Sequence, residues 1–278
     1  MKSIVIKVLL ITILFASQLF AQKYAWLESY DAENALSNRI PPPEGFQRTE
    51  VDSGSLGEWL RNMPLKPGKA DILLHYGIEK AKQDLHVAVV DIDVGKSNLQ
   101  HGCNAIIRLW SEFNYATEQY SNIYFNIKTG DRISYSNWIQ GYRPIVGKES
   151  VVWVQSGDKG TSHRNFKSYI TQIFVHGSPE TLYEATEPVL KDEEMEIGNT
   201  FIQTANLGSH AVMVADMVEN KETGEKAFLI AQSYIPAQSI HIVINPENEA
   251  LSPWYSMDFG DSITTPEWKF SRGDLKKF

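Results

Sequence analysis

Cysteine is almost missing from this chain, since Cys103 is the only one among 278 residues. A single cysteine cannot form an internal disulfide, which excludes a disulfide-stabilised scaffold. The sequence also lacks the GxSxG, HExxH and phosphate-binding glycine motifs, and its seven histidines do not show the spacing of zinc ligands. We therefore predict no metal and no cofactor, and any nucleophilic chemistry falls to Cys103.

Basic residues are also fewer than acidic ones. Lysine and arginine total 26 against 34 aspartates and glutamates, which gives a formal net charge of −8. A surface of this sign repels polyanions, so we predict no nucleic acid and no anionic membrane surface as the main partner.

One apolar run, residues 8–20, follows Lys2 and Lys7 and is succeeded by Ala21. It is too short and too near the start for a comfortable transmembrane helix, and the pattern is typical of a cleaved secretory signal. We predict a signal peptide over residues 1–21 and a mature protein that is periplasmic or secreted, with no integral membrane segment after cleavage. Residues 22–278 are then enough for a single α+β domain.

Residues 98–117, NLQHGCNAIIRLWSEFNYAT, surround the cysteine. Apolar side chains after it follow the three-four spacing of a helix with one buried face: Ile106, Ile107, Trp110 and Phe113. Gly102 interrupts the chain just before, which places Cys103 in or next to the first helical turn. Free backbone N–H groups and the helix dipole favour an anion there, and this is one way to lower the pKa of a thiol. An inert core cysteine is the alternative.

The rest of the chain predicts strands with two or three short helices between them. β-branched or alternating apolar segments bounded by turn residues indicate the strands: residues 70–76, 86–94, 199–204, 210–218, 226–234 and 239–244. We expect an α+β fold in which an antiparallel sheet packs against the cysteine-bearing helix, with extra N-terminal and middle segments around that core. Asp91 and Asp93 share one face of the second predicted strand. This pair has two interpretations, a solvated sheet edge or part of a metal site.

Candidate partners for the thiol lie on the predicted hairpin of residues 210–234. Asp216 shares a face with His210, but six residues of strand separate them by roughly 20 Å. If Val218 pairs with Lys226, His210 lies opposite Tyr234, and Gln232 falls on the same face one diagonal step away. A shift of one residue would turn Gln232 to the other face.

With that register, the residues supply the parts of a thiol hydrolase. Cys103 is the nucleophile, His210 the base, and Gln232 a neutral amide that fixes the tautomer of the base. Gln100 adds an amide N–H to stabilise an oxyanion. Each also has a structural alternative: His210 as a polar group at a turn, and Gln232 as a partner for buried backbone. His101 is a second possible base.

A helix-borne cysteine, a histidine that opens a strand in GSHAVMVAD, and a polar residue on the next strand resemble the papain-like superfamily. The likeness is greatest to its NlpC-type amidopeptidases and CHAP-type amidases, although Gln232 stands where His, Asn or Asp is usual. The segments RIPPPEGFQR, SLGEWLRNMPL, CNAIIRLWSEF and FLIAQSYIPAQSIHIV also resemble an uncharacterised family of exported bacterial proteins, a domain of unknown function. The resemblance implies a papain-like core and a peptide or peptidoglycan substrate.

Two hypotheses about function follow. The first is an exported cysteine hydrolase that cleaves an amide bond in peptidoglycan or another envelope peptide, or transfers the acyl group to an amine. The second is a non-catalytic envelope binding or structural protein on a papain-like scaffold, with Cys103 in its core. Thiol reactivity separates them, because a nucleophile is partly exposed and a core cysteine reacts only after unfolding.

Overall fold

The structure is a computed structural model that describes residues 23–205 and 208–278. The predicted signal peptide, residues 1–21, lies outside the described residues. The helices are α1 (Leu36–Arg39), α2 (Leu56–Arg61), α3 (Gly102–Ala116), α4 (Tyr135–Trp138), α5 (His163–His176) and α6 (Pro179–Glu184). Within the described ranges, no helix has both the length and the apolar character needed to cross a membrane.

Strands outnumber helices. They are β1 (Phe46–Arg48), β2 (His86–Val89), β3 (Tyr124–Asn126), β4 (Arg132–Ser134), β5 (Tyr142–Val146), β6 (Val151–Gln155), β7 (Glu187–Pro188), β8 (Thr200–Ala205), β9 (Gly208–Asn220), β10 (Lys226–Gln232), β11 (His241–Val243), β12 (Tyr255–Ser256), β13 (Ser262–Thr264), β14 (Lys269–Ser271) and β15 (Leu275–Lys277). In the described part of the chain, nine of them form one sheet in the order β2-β11-β10-β9-β8-β15-β7, with β1 also on β9 and β12 on β10.

Every pairing in the large sheet is antiparallel. The pairs β3–β4, β5–β6 and β13–β14 form separate two-stranded ribbons. The predicted mixed α/β fold with a large antiparallel sheet is therefore confirmed. Strand β9 is central, since its first half pairs with β8, its second half pairs with β10, and its last residues also pair with β1.

Helix α3 packs against β9 and carries the core on that side of the sheet. Its apolar residues Ile106, Ile107 and Leu109 are at most 1% exposed, as the three-four spacing predicts. The helix is covered on other sides too, because Ser111, Glu112 and Asn114 are also buried. Removing this much apolar surface from water is the main stabilising term of the fold.

Asp216 in β9 ties the N-terminal segment to the sheet. Its side chain is fully buried and accepts hydrogen bonds from Arg48 Nε and Arg61 Nε, each at 2.7 Å. The backbone N–H of Met217 also donates to it, at 2.9 Å. A buried carboxylate with two guanidinium partners is a structural group, which agrees with its separation from His210 along the strand.

The register of the hairpin differs from the sequence prediction near its turn. Val218 pairs with Ala227, so the predicted Val218–Lys226 pairing is wrong by one residue. A β-bulge between Leu229 and Ile230 then shifts the register by one residue. Beyond the bulge Ala231 pairs with Met213, as it does in the predicted register. The prediction is therefore correct on the side of the bulge that leads to His210.

Two other predicted strands differ from the structure. Residues 70–76 form only isolated bridges, Leu73 with Glu79 and Leu74 with Gln238. The strand predicted at residues 86–94 ends at Val89, so Asp91 and Asp93 follow it instead of sharing a strand face. Asp93 pairs with Lys167 and with Arg108, which gives it partners of opposite charge.

Candidate active site

Cys103 is the second residue of α3, and His101 is the N-cap residue before the helix. The first backbone N–H groups of a helix have no intrahelical acceptor, so they remain available beside the thiol. Cys103 is 8% exposed and lies at the edge of the core. Cys103 therefore lies in the first turn of the helix, as the sequence predicted, but Gly102 is the first helical residue and not an interruption before it.

His210 lies directly against the start of this helix. A Cβ atom added to Gly102 would fall 2.5 Å from His210 Nδ1 and 2.9 Å from its Cε1. The missing side chain of Gly102 thus makes room for the imidazole beside Cys103. Glycine at this position serves close packing, whereas the sequence suggested only a break before the helix.

We expect a Gly102→Ala variant to displace the His210 ring or the first turn of α3. The new methyl group has no space, because even a shift of a few tenths of an ångström would leave it in contact with the imidazole. The variant should lose about 1–3 kcal/mol of stability, despite the better helix propensity of alanine. Urea denaturation measures the change. Gly273→Ala is the matched control, since a Cβ there meets nothing within 4 Å, and equal stability of the two variants would contradict this packing.

Gln232 meets the other side of the imidazole. Its Oε1 lies 3.3 Å from His210 Nε2, and both side chains are buried. Gln232 therefore contacts Nε2, while Nδ1 faces the cysteine helix. The structure thus brings His210 and Gln232 into contact, as the sequence suggested, and places Cys103 and His210 in the wall of one pocket.

Gln100 is placed differently. Its side chain is buried, and its Oε1 lies 3.4 Å from Arg108 Nη1. Its backbone carbonyl accepts a hydrogen bond from Ser233 Oγ at 3.0 Å. Among the described residues, Gln100 is not part of the pocket wall around Cys103. The structure therefore does not place this side chain in the pocket wall, and backbone N–H groups of the first helical turn are the available oxyanion donors.

A pocket of about 540 Å³ opens onto Cys103 and His210. Its wall is formed by the start of α3, the loop before α6, the start of β9 and a group of aromatic side chains. The lining residues are His101, Gly102, Cys103, Asn104, Lys128, Phe174, Gly177, Ser178, Pro179, Gly208, Ser209, His210, Tyr234, Ile235 and Trp268. A volume of this size can hold several residues of a peptide or a comparable ligand.

Three aromatic rings enclose the imidazole of His210. The ring centroids of Tyr234, Trp268 and Phe270 lie 4.9, 5.5 and 5.7 Å from it. Sequence analysis did not link Trp268 and Phe270 to this site, because nothing local connects residues 268–270 to a histidine 58 to 60 positions earlier. With these rings around it, His210 is 2% exposed.

Burial determines the protonation of the pair. It raises the pKa of the Cys103 thiol to about 12, with the charge of Glu180 adding to the rise and the backbone N–H lowering it. Burial also lowers the pKa of His210 to about 4, against the opposing effect of its hydrogen bond to Gln232. The resting pair is therefore a neutral thiol beside a neutral imidazole. The lowered thiol pKa expected from the helix start is wrong, because desolvation outweighs the helix.

His241, the neighbour of Gln232 on β11, is fully buried, and burial lowers its pKa from 6.5 to about 3. The unfolded chain then binds more protons below pH 6.5, so this contribution to stability is lost as the pH falls. Between pH 7 and 4.5 the wild type should lose roughly 2–3 kcal/mol more than a His241→Gln variant. Urea titrations at each pH test this, and parallel curves for the two proteins would contradict it.

His101 lies in the pocket wall but points to another partner. Its Nε2 is 2.9 Å from Asn98 Oδ1, and burial lowers its pKa. His210, packed on Gly102, is the better placed base. No group of three or more histidine, cysteine, aspartate or glutamate side chains within residues 23–205 and 208–278 is arranged to hold a metal ion.

Fold and site together define a mixed α/β protein with a cysteine and a histidine in one pocket wall and a buried glutamine against the histidine. The chain belongs to the family described as "Domain of unknown function (4846)", whose model matches residues 36–277. No curated protein and no solved structure matches the chain.

Proposed function

We propose that this protein is an exported cysteine hydrolase that cleaves an amide bond, with a papain-like core formed by α3 and the strands β8–β11. The observation that carries the proposal is the position of His210, whose Nδ1 side packs against the first turn of the cysteine helix while Nε2 contacts Gln232. The proposed nucleophile and base then share one pocket wall, and the group that would orient the base contacts the base from behind it.

The neutral resting pair requires general-base catalysis. As Cys103 Sγ attacks the substrate carbonyl carbon, its proton moves to His210 Nδ1 and an oxyanion forms beside the helix N–H groups. The C–N bond breaks when Nδ1 returns that proton to the leaving amine, which leaves a thioester on Cys103. Water then attacks the thioester, gives one proton to Nδ1, and releases the carboxylic acid as the proton returns to sulfur.

The substrate class follows from the predicted export and from the pocket. A peptide stem of peptidoglycan, or another envelope peptide, supplies the amide bond and would meet the enzyme in the periplasm or outside the cell. The aromatic side formed by Tyr234 and Trp268 offers apolar contact, and Lys128 places one positive charge in the wall. Lys128 would favour a substrate with a carboxylate.

The proposal is tested by incubating the signal-free protein, residues 22–278, with peptidoglycan fragments that retain their stem peptides. Mass spectrometry should detect products that together weigh one water more than the substrate, with a new amine and a new carboxylate. Loss of the base in a His210→Ala variant should slow this reaction by about 10²–10⁴-fold. An added amine acceptor distinguishes acyl transfer, because the product then carries the acceptor in place of water.

The non-catalytic hypothesis is favoured by one observation, the burial that raises the pKa of Cys103 to about 12. On that hypothesis the pocket binds a ligand and the thiol is a packing residue. Fragments that bind to the protein without being cleaved, with equal affinity for wild type and Cys103→Ala, would favour this hypothesis over hydrolysis.

A further inference from the structure

We propose that Glu267 and His241 are positioning residues that fix the amide of Gln232 in one orientation, and through it set the tautomer of His210. This inference adds two residues to the proposed mechanism. Its catalytic meaning rests on the proposed function, whereas the tautomer itself is a property of the folded protein.

Both residues contact the same atom of Gln232. Gln232 Nε2 lies 2.9 Å from Glu267 Oε2 and 3.3 Å from His241 Nε2. Glu267 precedes β14, and its other carboxylate oxygen accepts a hydrogen bond from Lys80 Nζ at 2.5 Å. Lys80 therefore anchors the carboxylate and balances its charge at the rim of the core.

The protonation of His241 is determined by its second contact. His241 Nδ1 lies 2.8 Å from the backbone carbonyl oxygen of Ser239. A carbonyl oxygen only accepts, so Nδ1 must carry the proton. A neutral imidazole has one N–H, and burial keeps this ring neutral, which leaves Nε2 as an acceptor facing Gln232.

Gln232 thus faces two acceptors, a carboxylate oxygen and an imidazole lone pair. An amide NH₂ has two hydrogens and satisfies both of them. The reversed amide would place its carbonyl oxygen against both acceptors and leave three acceptors unpaired, two of them buried, which is strongly unfavourable. The amide therefore turns Oε1 towards His210, whose Nε2 must carry the proton. His210 Nδ1 is left without a proton, on the side of Gly102 and Cys103.

This arrangement accounts for a glutamine at the third position. An ionised aspartate could only accept, and it would fix the histidine tautomer without help. A glutamine presents a donor or an acceptor, so it fixes the tautomer only if other groups determine its orientation. Glu267 and His241 do so here, from segments that are 35 and 9 residues away from Gln232.

The experiment is a ¹⁵N–¹H long-range correlation spectrum of the imidazole rings in the signal-free protein at pH 7. The His210 resonances are assigned by their loss in His210→Gln. We expect the wild type to show His210 protonated at Nε2 alone. In Glu267→Ala and in the double variant Glu267→Ala/His241→Phe, the Nδ1-protonated form should appear, reaching roughly half of the population in the double variant, where neither amide orientation is favoured.

Conservative and unrelated variants separate positioning from general structural support. Glu267→Gln retains an oxygen acceptor, so it should restore the wild-type tautomer. Lys167→Met removes a surface ion pair with Asp93 and should leave the spectrum of His210 unchanged. Because Glu267 is 14% exposed at the rim, its single variants test the inference even if the double variant does not fold.

A wild-type His210 protonated at Nδ1 would overturn the inference, and so would an unchanged tautomer in folded Glu267→Ala. The outcome is independent of the proposed function. If the His210 tautomer depends on Glu267 but the protein cleaves no amide, this inference stands and the proposed hydrolase function is rejected. If the protein cleaves an amide but the His210 tautomer does not change in the Glu267 variants, the proposed function stands and this inference is rejected.

Discussion

A Cys103→Ala variant should lose amide hydrolysis by about four orders of magnitude or more, because no other group in the pocket can form the thioester. Folding should change little. Cys103 is 8% exposed, and removing one sulfur atom from this edge of the core should lower stability by about 1 kcal/mol. Initial rates on a cleavable peptidoglycan fragment and urea denaturation measure the two effects separately.

Ser111→Ala is the matched control for this variant. Ser111 lies two turns further along α3, is fully buried, and has no hydrogen-bond partner for Oγ within the described part of the chain. The substitution removes one heavy atom from the same helix, as Cys103→Ala does, but far from the pocket. It should retain hydrolysis. Equal rates in Cys103→Ala and the wild type would contradict a nucleophilic role for the thiol.

The second large effect is expected at Asp216. An Asp216→Asn variant keeps the shape of the side chain but removes the negative charge between Arg48 and Arg61. Two guanidinium groups would then share a buried site without a counter-ion. Breaking a buried ion pair in this way costs about 3–5 kcal/mol. Chemical denaturation at pH 7 should show this loss as an earlier midpoint.

Asp93→Asn provides the comparison for Asp216. Asp93 also pairs with two cations, Arg108 and Lys167, but its side chain is 43% exposed, and Arg108 retains Glu112 as a partner. Water screens such a site, so its loss should cost about 1 kcal/mol or less. Similar losses of unfolding free energy in the two variants would show that the ion pairs of Asp216 do not hold the N-terminal segment against the sheet.

Patterns local to the chain predicted the elements and one contact of the candidate site. The spacing of Ile106, Ile107 and Phe113 predicted α3, because one face of that helix has to pack against the sheet. Alternation placed His210 and Gln232 on neighbouring strands, where they do meet. Arg108 and Glu112 have the four-residue spacing of a helical ion pair, and they form one on α3 at 2.6 Å.

The features that could not be predicted from the sequence depend on contacts between residues that are distant along the chain. The bulge at Leu229 and Ile230 has no proline or glycine to mark it, so the register near the turn was wrong while the register at His210 agreed. Gln100 precedes Cys103 closely in the chain, yet its side chain turns towards Arg108. Sequence proximity does not determine which way a side chain points.

The contact of Glu267 and the pKa of Cys103 also depend on residues that are distant along the chain. Glu267 lies in the turn between β13 and β14 and contacts Gln232 at the end of β10, and no spacing within the sequence encodes that contact. The helix start alone favours a thiolate, but the pKa depends on how completely the surrounding chain excludes water. Burial is a property of the whole fold, which a local pattern does not contain.

The most direct test of the Cys103–His210 pair is the rate of alkylation by iodoacetamide in the folded, signal-free protein, measured from pH 4 to 10. With His210 as a neutral general base, the wild type should react without denaturant at a rate that is nearly constant above pH 5. His210→Ala should react at least about tenfold more slowly at pH 7, and its rate should rise with pH as a buried thiol ionises. Labelling that needs denaturant in both proteins, or equal rates in both, would contradict the account and leave Cys103 as a core residue.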